Sequence, residues 1–345
     1  MQEYQAKGRT YRLASNLKGF RLGIYTHLTD RKWANWTEEC GYYRYKDKLI
    51  PYDILLPDEM KAKLEPVYRP IVDRVLEHQR RFPFKLHKFV GHMASSQAAC
   101  LNLFVPLLLQ PSIASDVLRM IKPDLQSIAT DHLDGGFQVE FWPGKGLQKG
   151  LLQDHTTIAG TDADIAIAYR DREGHLRLWL IEHKLTEQEF TTCGGAKSSC
   201  RTDQHRCSPA ADVLSDHSLC YYHEHCKYAY WPITDRHSEI FSPERLVAQD
   251  TCPFKGGLNQ LWRNMLLAMA VQDEPQSPYA GVHFSVVHHP DNHALDASMK
   301  AFQQLLGNSN QFSWFTSDRI VNAPAVATIP ALKGWATWYK KLYRV

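Results

Sequence analysis

Apolar residues recur at every second position from 137 to 141, where Phe137, Val139 and Phe141 share one face and Gln138 and Glu140 the other. A second alternating run follows Asp164 and a third spans 176–185. The polar stretch 170–174 joins them as a turn, so residues 161–187 predict a hairpin. Residues 280–287 and 312–316 predict two more strands. Helical spacing appears elsewhere. Leu64, Val67, Ile71 and Val75 form a stripe after a helix start at Asp58, complicated by Pro66 and Pro70. Small, then apolar residues over 91–109 predict a packed helix ending near Pro106, and 112–127 a helix interrupted by Pro123. Residues 257–272 (Leu258, Leu261, Met265, Ala268 and Met269 on one side), 295–306 and a terminal segment with Leu332, Trp335, Tyr339 and Leu342 complete the helices. Residues 1–60 read as turns and short apolar pieces.

Strands followed by a helix and a further strand predict an α/β fold, a mixed central β-sheet flanked by helices. The chain divides into an N-terminal helical or irregular extension over 1–90 and a domain over 91–345, interrupted by a Cys/His-rich insertion at about 190–255.

The hairpin carries the chemistry. Alternation puts Glu182 and Lys184 on one face of the second strand, with His183 turned away. The turn is short enough to bring Asp164 beside Glu182. Two carboxylates that close repel unless a divalent cation lies between them, and oxygen ligands favour a hard ion. Asp162 shares the face of Asp164 on an extended strand, so either can be the partner acid; Asp164 adjoins the apolar run Ile165-Ala166-Ile167 and is preferred. Glu140 is a third acid or a solvent-facing residue of an edge strand. Gln260 and Arg263 share a helix face. Ser95, Ser96, Gln97 and Asn102 read as caps and packing polars.

Asp164 followed by Glu182-His183-Lys184 resembles the motif of the PD-(D/E)XK nuclease superfamily, with its restriction-endonuclease-like core. The segments SSQAACLNLFVPL, VEFWP, LIEHKLTE and LNQLWRNMLLA extend the resemblance to a bacterial restriction-endonuclease branch. His183 departs from it, since most such nucleases carry an apolar residue there. The resemblance implies a metal-dependent nuclease acting on DNA, with RNA not excluded, in restriction or phage defence. It implies Mg²⁺ or Mn²⁺ on Asp164, Glu182 and the His183 backbone carbonyl, and Lys184 at the attacking water or the phosphate. Gln260 then touches the metal water or the scissile phosphate, and Arg263 binds phosphate. The opposing reading is a nucleic-acid-binding scaffold that has kept the fold and lost turnover. Enzymes of this type are often two-fold dimers, and no dimer surface is legible in the sequence.

Six of the eight cysteines fall in the insertion, with His205, His217, His223 and His225 among them. The spacings are wider than the pairs of a zinc ribbon. Free thiols and a structural Zn²⁺ or iron–sulfur group divide the expectation, and for a metal the favoured ligands are Cys207, Cys220, Cys226 and Cys252. Composition adds little beyond this. A net charge of +3 over 345 residues announces no nucleic acid by itself. Basic residues do cluster, at Arg80, Arg81, Lys85 and Lys88 and at Lys333, Lys340, Lys341 and Arg344. The polar N-terminus and the short apolar run 101–109 lead to the expectation of a cytoplasmic protein without a membrane segment.

Overall fold

The computed structural model describes residues 1–143, 148–156, 160–307 and 310–345. Two antiparallel hairpins open the chain, β1 (Gln2–Ala6) with β2 (Arg9–Leu13) and β3 (Gly41–Tyr45) with β4 (Lys48–Tyr52). The remaining strands form one six-stranded sheet: β5 (Leu125–Ile128), β6 (Phe137–Phe141), β7 (Ala163–Asp171), β8 (Leu176–Lys184), β9 (Gly281–His288) and β10 (Phe312–Thr316). Strands β7 and β8 are antiparallel, while β8, β9 and β10 run parallel. Strands β5 and β6 share the outer edge of β7, one pairing its C-terminal part and the other its N-terminal part. The protein is mixed α/β, with the sheet flanked by helices on both faces.

Both faces of β7 and β8 are buried, which is why these strands are apolar throughout rather than strictly alternating. Ile165, Ile167, Tyr169, Trp179 and Ile181 enter a core completed by helices Gly19–Asn35, Ser96–Leu108 and Pro330–Tyr343. Ala166, Ala168, Leu178 and Leu180 enter a second core with helix Asn259–Asp273 and the insertion. Glycine is required where the chain enters β6. Gly136 has φ +101°, and a Cβ there would stand 2.3 Å from the Ile128 side chain.

Several elements differ from the sequence reading. Residues 1–60 hold two hairpins and the 17-residue helix Gly19–Asn35. That helix buries Thr26, Thr29 and Lys32 beside Ile24 and Leu28, so its buried stripe is partly polar and escapes an apolar count. The Lys32 ammonium donates to the carbonyls of Glu39 and Leu55, and burial pulls its pKa down to about 8. The helix at Asp58 stops at Ala62; Pro66 and Pro70 delay the next until Val72–Arg81. Pro106 lies inside Ser96–Leu108, near its end, instead of terminating it. The segment read as one helix across Pro123 is helix Pro111–Arg119 followed by β5.

A buried ion network ties β6 to the first core. Asp134, 2 % exposed, meets Arg74 Nη1 at 2.7 Å, Arg81 Nη1 at 2.5 Å and His78 Nδ1 at 2.6 Å. His78 Nε2 accepts the Val139 N–H at 3.1 Å, so this ring is neutral with its proton on Nδ1, donated to Asp134. Burial lowers the His78 pKa. Burial alone would raise that of Asp134, but the hydrogen bonds from Arg74 and His78 and the charge of Arg74 outweigh it and hold it low. Both shifts have the same sign for stability, because the unfolded chain binds more protons. Stability is therefore expected to fall as pH drops below the ordinary His value of 6.5 and again below the ordinary Asp value of 3.8. Asp134→Ala is expected to cost about 3–5 kcal/mol by stranding buried charge and to flatten the lower limb, as read by urea unfolding at several pH values.

Candidate active site

The hairpin β7–β8 is in register from Arg170↔Leu176 to Ile165↔Ile181. One step further the ladder changes: the Asp164 carboxylate, not a backbone carbonyl, accepts the His183 N–H, at 2.6 Å. This end of the sheet is where the functional side chains collect. Glu182 is 5 % exposed and fully engaged. Its Oε1 meets Lys184 Nζ at 2.8 Å and accepts from Gln260 Nε2 at 2.8 Å; its Oε2 accepts from Asn264 Nδ2 at 2.8 Å. Helix Asn259–Asp273 thus presents two amides, one turn apart, to one carboxylate. Asn264 is absent from the sequence reading. Its signal was available, four residues after Gln260 on the same face, but a Gln/Asn pair on a helix carries no mark of its own.

Glu140 reaches the same region from β6 by an irregularity. Its φ is +48°, in the left-handed region that a non-glycine residue rarely occupies. Phe137 and Val139 point into the first core, yet Phe141 points into the second, so the alternation expected for this strand breaks at Glu140. Gln97, at the start of helix Ser96–Leu108, donates to Glu140 Oε1 at 2.7 Å and to the Lys85 carbonyl, while its Oε1 accepts the His87 N–H. Gln97 therefore positions an acid as well as packing. Ser95 caps this helix and Asn102 ties it to Pro66, Tyr68 and Tyr343.

Negative charge is concentrated here. Burial raises the pKa of Glu140, with Asp162 the next contributor and Glu182 a further one. Asp162 is raised by burial and then by Glu182. Asp164 is raised well above the usual carboxylate range by burial, then by Glu182 and Glu140. Lys184 answers them. Burial would lower its pKa, but Glu182, Glu187 and Asp164 together raise it. Three acids surround the ammonium and favour its charged form. Glu187 holds the strand end by accepting the N–H groups of Leu185 and Thr186.

Glu140, Asp162, Asp164 and Glu187 border an open cleft of about 970 Å³. Arg21, Lys85 and Lys88 also line it, with Tyr43 and Phe89 stacked at 6.2 Å. Arg81 of the same basic stretch instead serves Asp134. Arg263 lies off this lining, where it donates to Thr161 Oγ1 at 3.2 Å and feels Tyr230 and Asp154. In the second basic cluster, at the C-terminus, Lys340 donates to Asn322 and Arg344 pairs with Asp291. His183 is 1 % exposed, and neither ring nitrogen has a partner among the described residues. Burial pushes its pKa down to about 3, so the ring is neutral.

The donor set suits a divalent cation. Its side-chain ligands are all oxygens, and their mutual repulsion is what such an ion relieves. Among the described residues, no three of these acids have donor atoms within 4.8 Å of one another. Asp171, Glu173 and His175 do, on the β7–β8 turn, but the last two are exposed and the group is remote from the cleft lining.

Fold and site together define a mixed α/β protein with a buried acid–lysine centre at one end of its sheet. The chain belongs to the family described as Restriction Endonuclease associating with ARP, whose model matches residues 27–344. No curated protein and no solved structure matches the chain.

If the acids repel as their environment indicates, neutralising one stabilises the metal-free protein. Glu140→Gln keeps the shape and is expected to raise the unfolding free energy by about 0.5–2 kcal/mol in chelator at neutral pH, measured by urea denaturation.

Proposed function

We propose that this protein is a magnesium- or manganese-dependent endonuclease that hydrolyses phosphodiester bonds of DNA, acting in restriction. The observation that carries this reading is the meeting of Asp164, Glu182 and Lys184 at the end of β7 and β8, in a chain of a restriction-endonuclease family. The element order supports a restriction-endonuclease-like core: helix Ser96–Leu108, antiparallel β6, β7 and β8, helix Asn259–Asp273, then parallel β9.

Asp164 and Glu182, with the His183 carbonyl, would hold the ion, and Glu140 and Asp162 stand near enough to add to its field. When bound, such an ion lowers the pKa of water and offsets charge on the phosphate. The chain's own residues do the rest. Gln260 and Asn264 hold the Glu182 carboxylate in one orientation, which narrows the geometries it can adopt. Lys184 is an ammonium among acids, so it acts as a donor rather than a base and steadies negative charge growing on the phosphate oxygens. Lys85, Lys88 and Arg21 line the same cleft as the acids and bind the flanking phosphates. Tyr43 and Phe89 offer faces for an unstacked base or sugar.

Purified protein with plasmid and Mg²⁺ or Mn²⁺ is expected to give nicked or linear product, and none with chelator. Lys184→Ala is expected to lower the single-turnover rate about 100- to 1000-fold, Asn264→Ala about 10- to 100-fold, and Glu182→Ala to abolish cleavage. Cleavage that persists in Glu182→Ala would place the chemistry elsewhere. A folded wild type that binds DNA but never cuts it would favour the scaffold reading. Lys85→Ala with Lys88→Ala should weaken DNA binding at low salt and reduce the slope of log K against log salt by about 2, read by fluorescence anisotropy.

A further inference from the structure

The β3–β4 hairpin is fixed at its root and bare at its tip. The buried Lys32 ammonium donates to the carbonyls of Glu39, which precedes the hairpin, and Leu55, which follows it. The Gly41 N–H donates to the Leu55 carbonyl at 2.7 Å, and a Cβ on Gly41 would stand 2.5 Å from the Leu56 carbonyl oxygen. Tyr52 closes the root against His92, with its hydroxyl 3.2 Å from Nε2. At the other end Tyr42, Tyr45 and Leu49 are 57, 56 and 58 % exposed, so three large side chains of one short ribbon stand in water. Arg44, Lys46 and Lys48 are exposed among them, and no ion pair among the described residues engages any of the three. Cross-strand pairing sets Arg44 opposite Leu49 and Tyr45 opposite Lys48. A turn that only joined two strands would present small polar residues. Aromatic and cationic side chains on a rooted, exposed ribbon form a contact surface instead.

Charge and position identify the partner. On the hairpin Arg44, Lys46 and Lys48 stand against Asp47. A groove of about 410 Å³ beside it is lined by Tyr42, Arg44, Leu49 and Lys61, with Asp58 as the acid. Tyr43, Lys88 and Phe89 line this groove and also the cleft that holds the acids, so the two are continuous. A polyanion lying in the cleft therefore reaches the hairpin along the protein surface.

We infer that the β3–β4 hairpin is a reading ribbon that enters the major groove of duplex DNA beside the scissile phosphate, with Arg44 on a base edge and Lys46 and Lys48 on phosphates. This rests on the nuclease reading above and adds the form of nucleic acid taken. The major groove of B-form DNA, about 12 Å wide, admits a two-stranded ribbon. The major groove of A-form RNA is too deep and narrow for side chains to read. A single strand needs aromatic faces in succession. Tyr42 and Tyr45 lie on opposite faces of the ribbon by strand alternation, so they build no such platform. The Arg44 guanidinium has the fork that pairs with guanine O6 and N7. Lys46 and Lys48, on either side of Asp47, offer point charges to the backbones that wall the groove. Base reading demands a fixed register, and the Lys32 bonds to both ends of the hairpin supply it.

The test uses the full chain in chelator, where no strand is cut, and fluorescence anisotropy with a labelled DNA duplex, the same sequence as duplex RNA, and its single DNA strand. The wild type is expected to bind duplex DNA most tightly. Lys46→Ala with Lys48→Ala is expected to reduce the slope of log K against log salt by about 2. Arg44→Ala is expected to lose about 5- to 150-fold of the preference for guanine at one position, read by sequencing duplexes selected from a randomised pool. Wild-type binding and selection in these variants overturn the proposal, as does tighter binding of the single strand or of duplex RNA. A wild type that selects no motif removes Arg44 as a base reader. Should a variant fail to fold, acetylation of native wild type decides. Duplex DNA is expected to protect Lys46 and Lys48 and to leave the exposed Lys300, outside the cleft lining, reactive; equal acetylation of the hairpin with and without duplex overturns the proposal. The two readings fail separately. Cleavage in Mg²⁺ by a protein whose hairpin variants bind unchanged removes the ribbon alone, and duplex binding through the hairpin without cleavage removes the nuclease alone.

Discussion

Buried negative charge at the end of β7 and β8 is the constraint around which this structure is arranged. Four carboxylates, Glu140, Asp162, Asp164 and Glu182, influence one another there, Glu182 buried and the other three half-buried at the edge of the cleft. Nothing in the apolar cores on either face of the sheet requires them. A protein selected for stability alone would place aliphatic side chains there. Instead three of the four have a dedicated support: Gln97 for Glu140, the His183 N–H for Asp164, and Lys184, Gln260 and Asn264 for Glu182. The supports come from both flanking helices, so the two cores converge on the charge cluster. Geometry that costs stability and persists is best understood as geometry under functional selection.

The same logic explains why so much of the chain lies far from the cleft. Glu140 sits in a left-handed conformation at a break in β6, and such a residue stays put only if its strand is held on both sides. Phe137 and Val139 hold it through the first core, Phe141 through the second, and His78 through the Val139 N–H. The Asp134 network thus belongs to the site's support although it touches none of the acids. On the other face the insertion fills the corresponding role by fastening the start of helix Asn259–Asp273.

What the sequence made legible follows from what the elements bury. Strands β7 and β8 announce themselves because both faces are apolar and the turn between them is polar. The acid–Glu-His-Lys spacing then places charge at the open end of a buried hairpin, away from its turn, which few structures tolerate without a reason. Helix Asn259–Asp273 is equally plain. The N-terminal helix Gly19–Asn35 is not, since Thr26, Thr29 and Lys32 occupy buried positions that a period count scores as polar. Lys32 is buried because its ammonium ends a helix and serves two loop carbonyls, a tertiary arrangement invisible to local pattern. Strand β5 is short, and Pro123 in front of it reads as a helix interruption rather than a boundary. The break at Glu140 is invisible for a related reason: alternation describes a regular strand, and the irregular residue is the one that matters. Of the cysteines, clustering in sequence was evident, while which of them share one enclosed pocket was not: Cys193, Cys207, Cys220 and Cys252 line it and Cys226, expected from the sequence, does not.

The placement of the acids also follows from topology. Strands β8, β9 and β10 run parallel, and β7 turns back antiparallel to them. The crevice beyond the carboxyl ends of parallel strands is where open α/β sheets gather ligands, because connections diverge there and leave side chains without a neighbouring strand to cover them. Glu182 and Lys184 are the last residues of β8, and Asp164 is near the first of β7, so the hairpin delivers all three to that end. His288 ends β9 beside them in register with Lys184. Past Lys184 the chain departs into the insertion and returns only at the helix bearing Gln260 and Asn264. An insertion at this point can change shape freely while the two strands that carry the charges stay paired. It also touches the residue that holds Glu182, through the hydrogen bonds between Thr191 and Gln260.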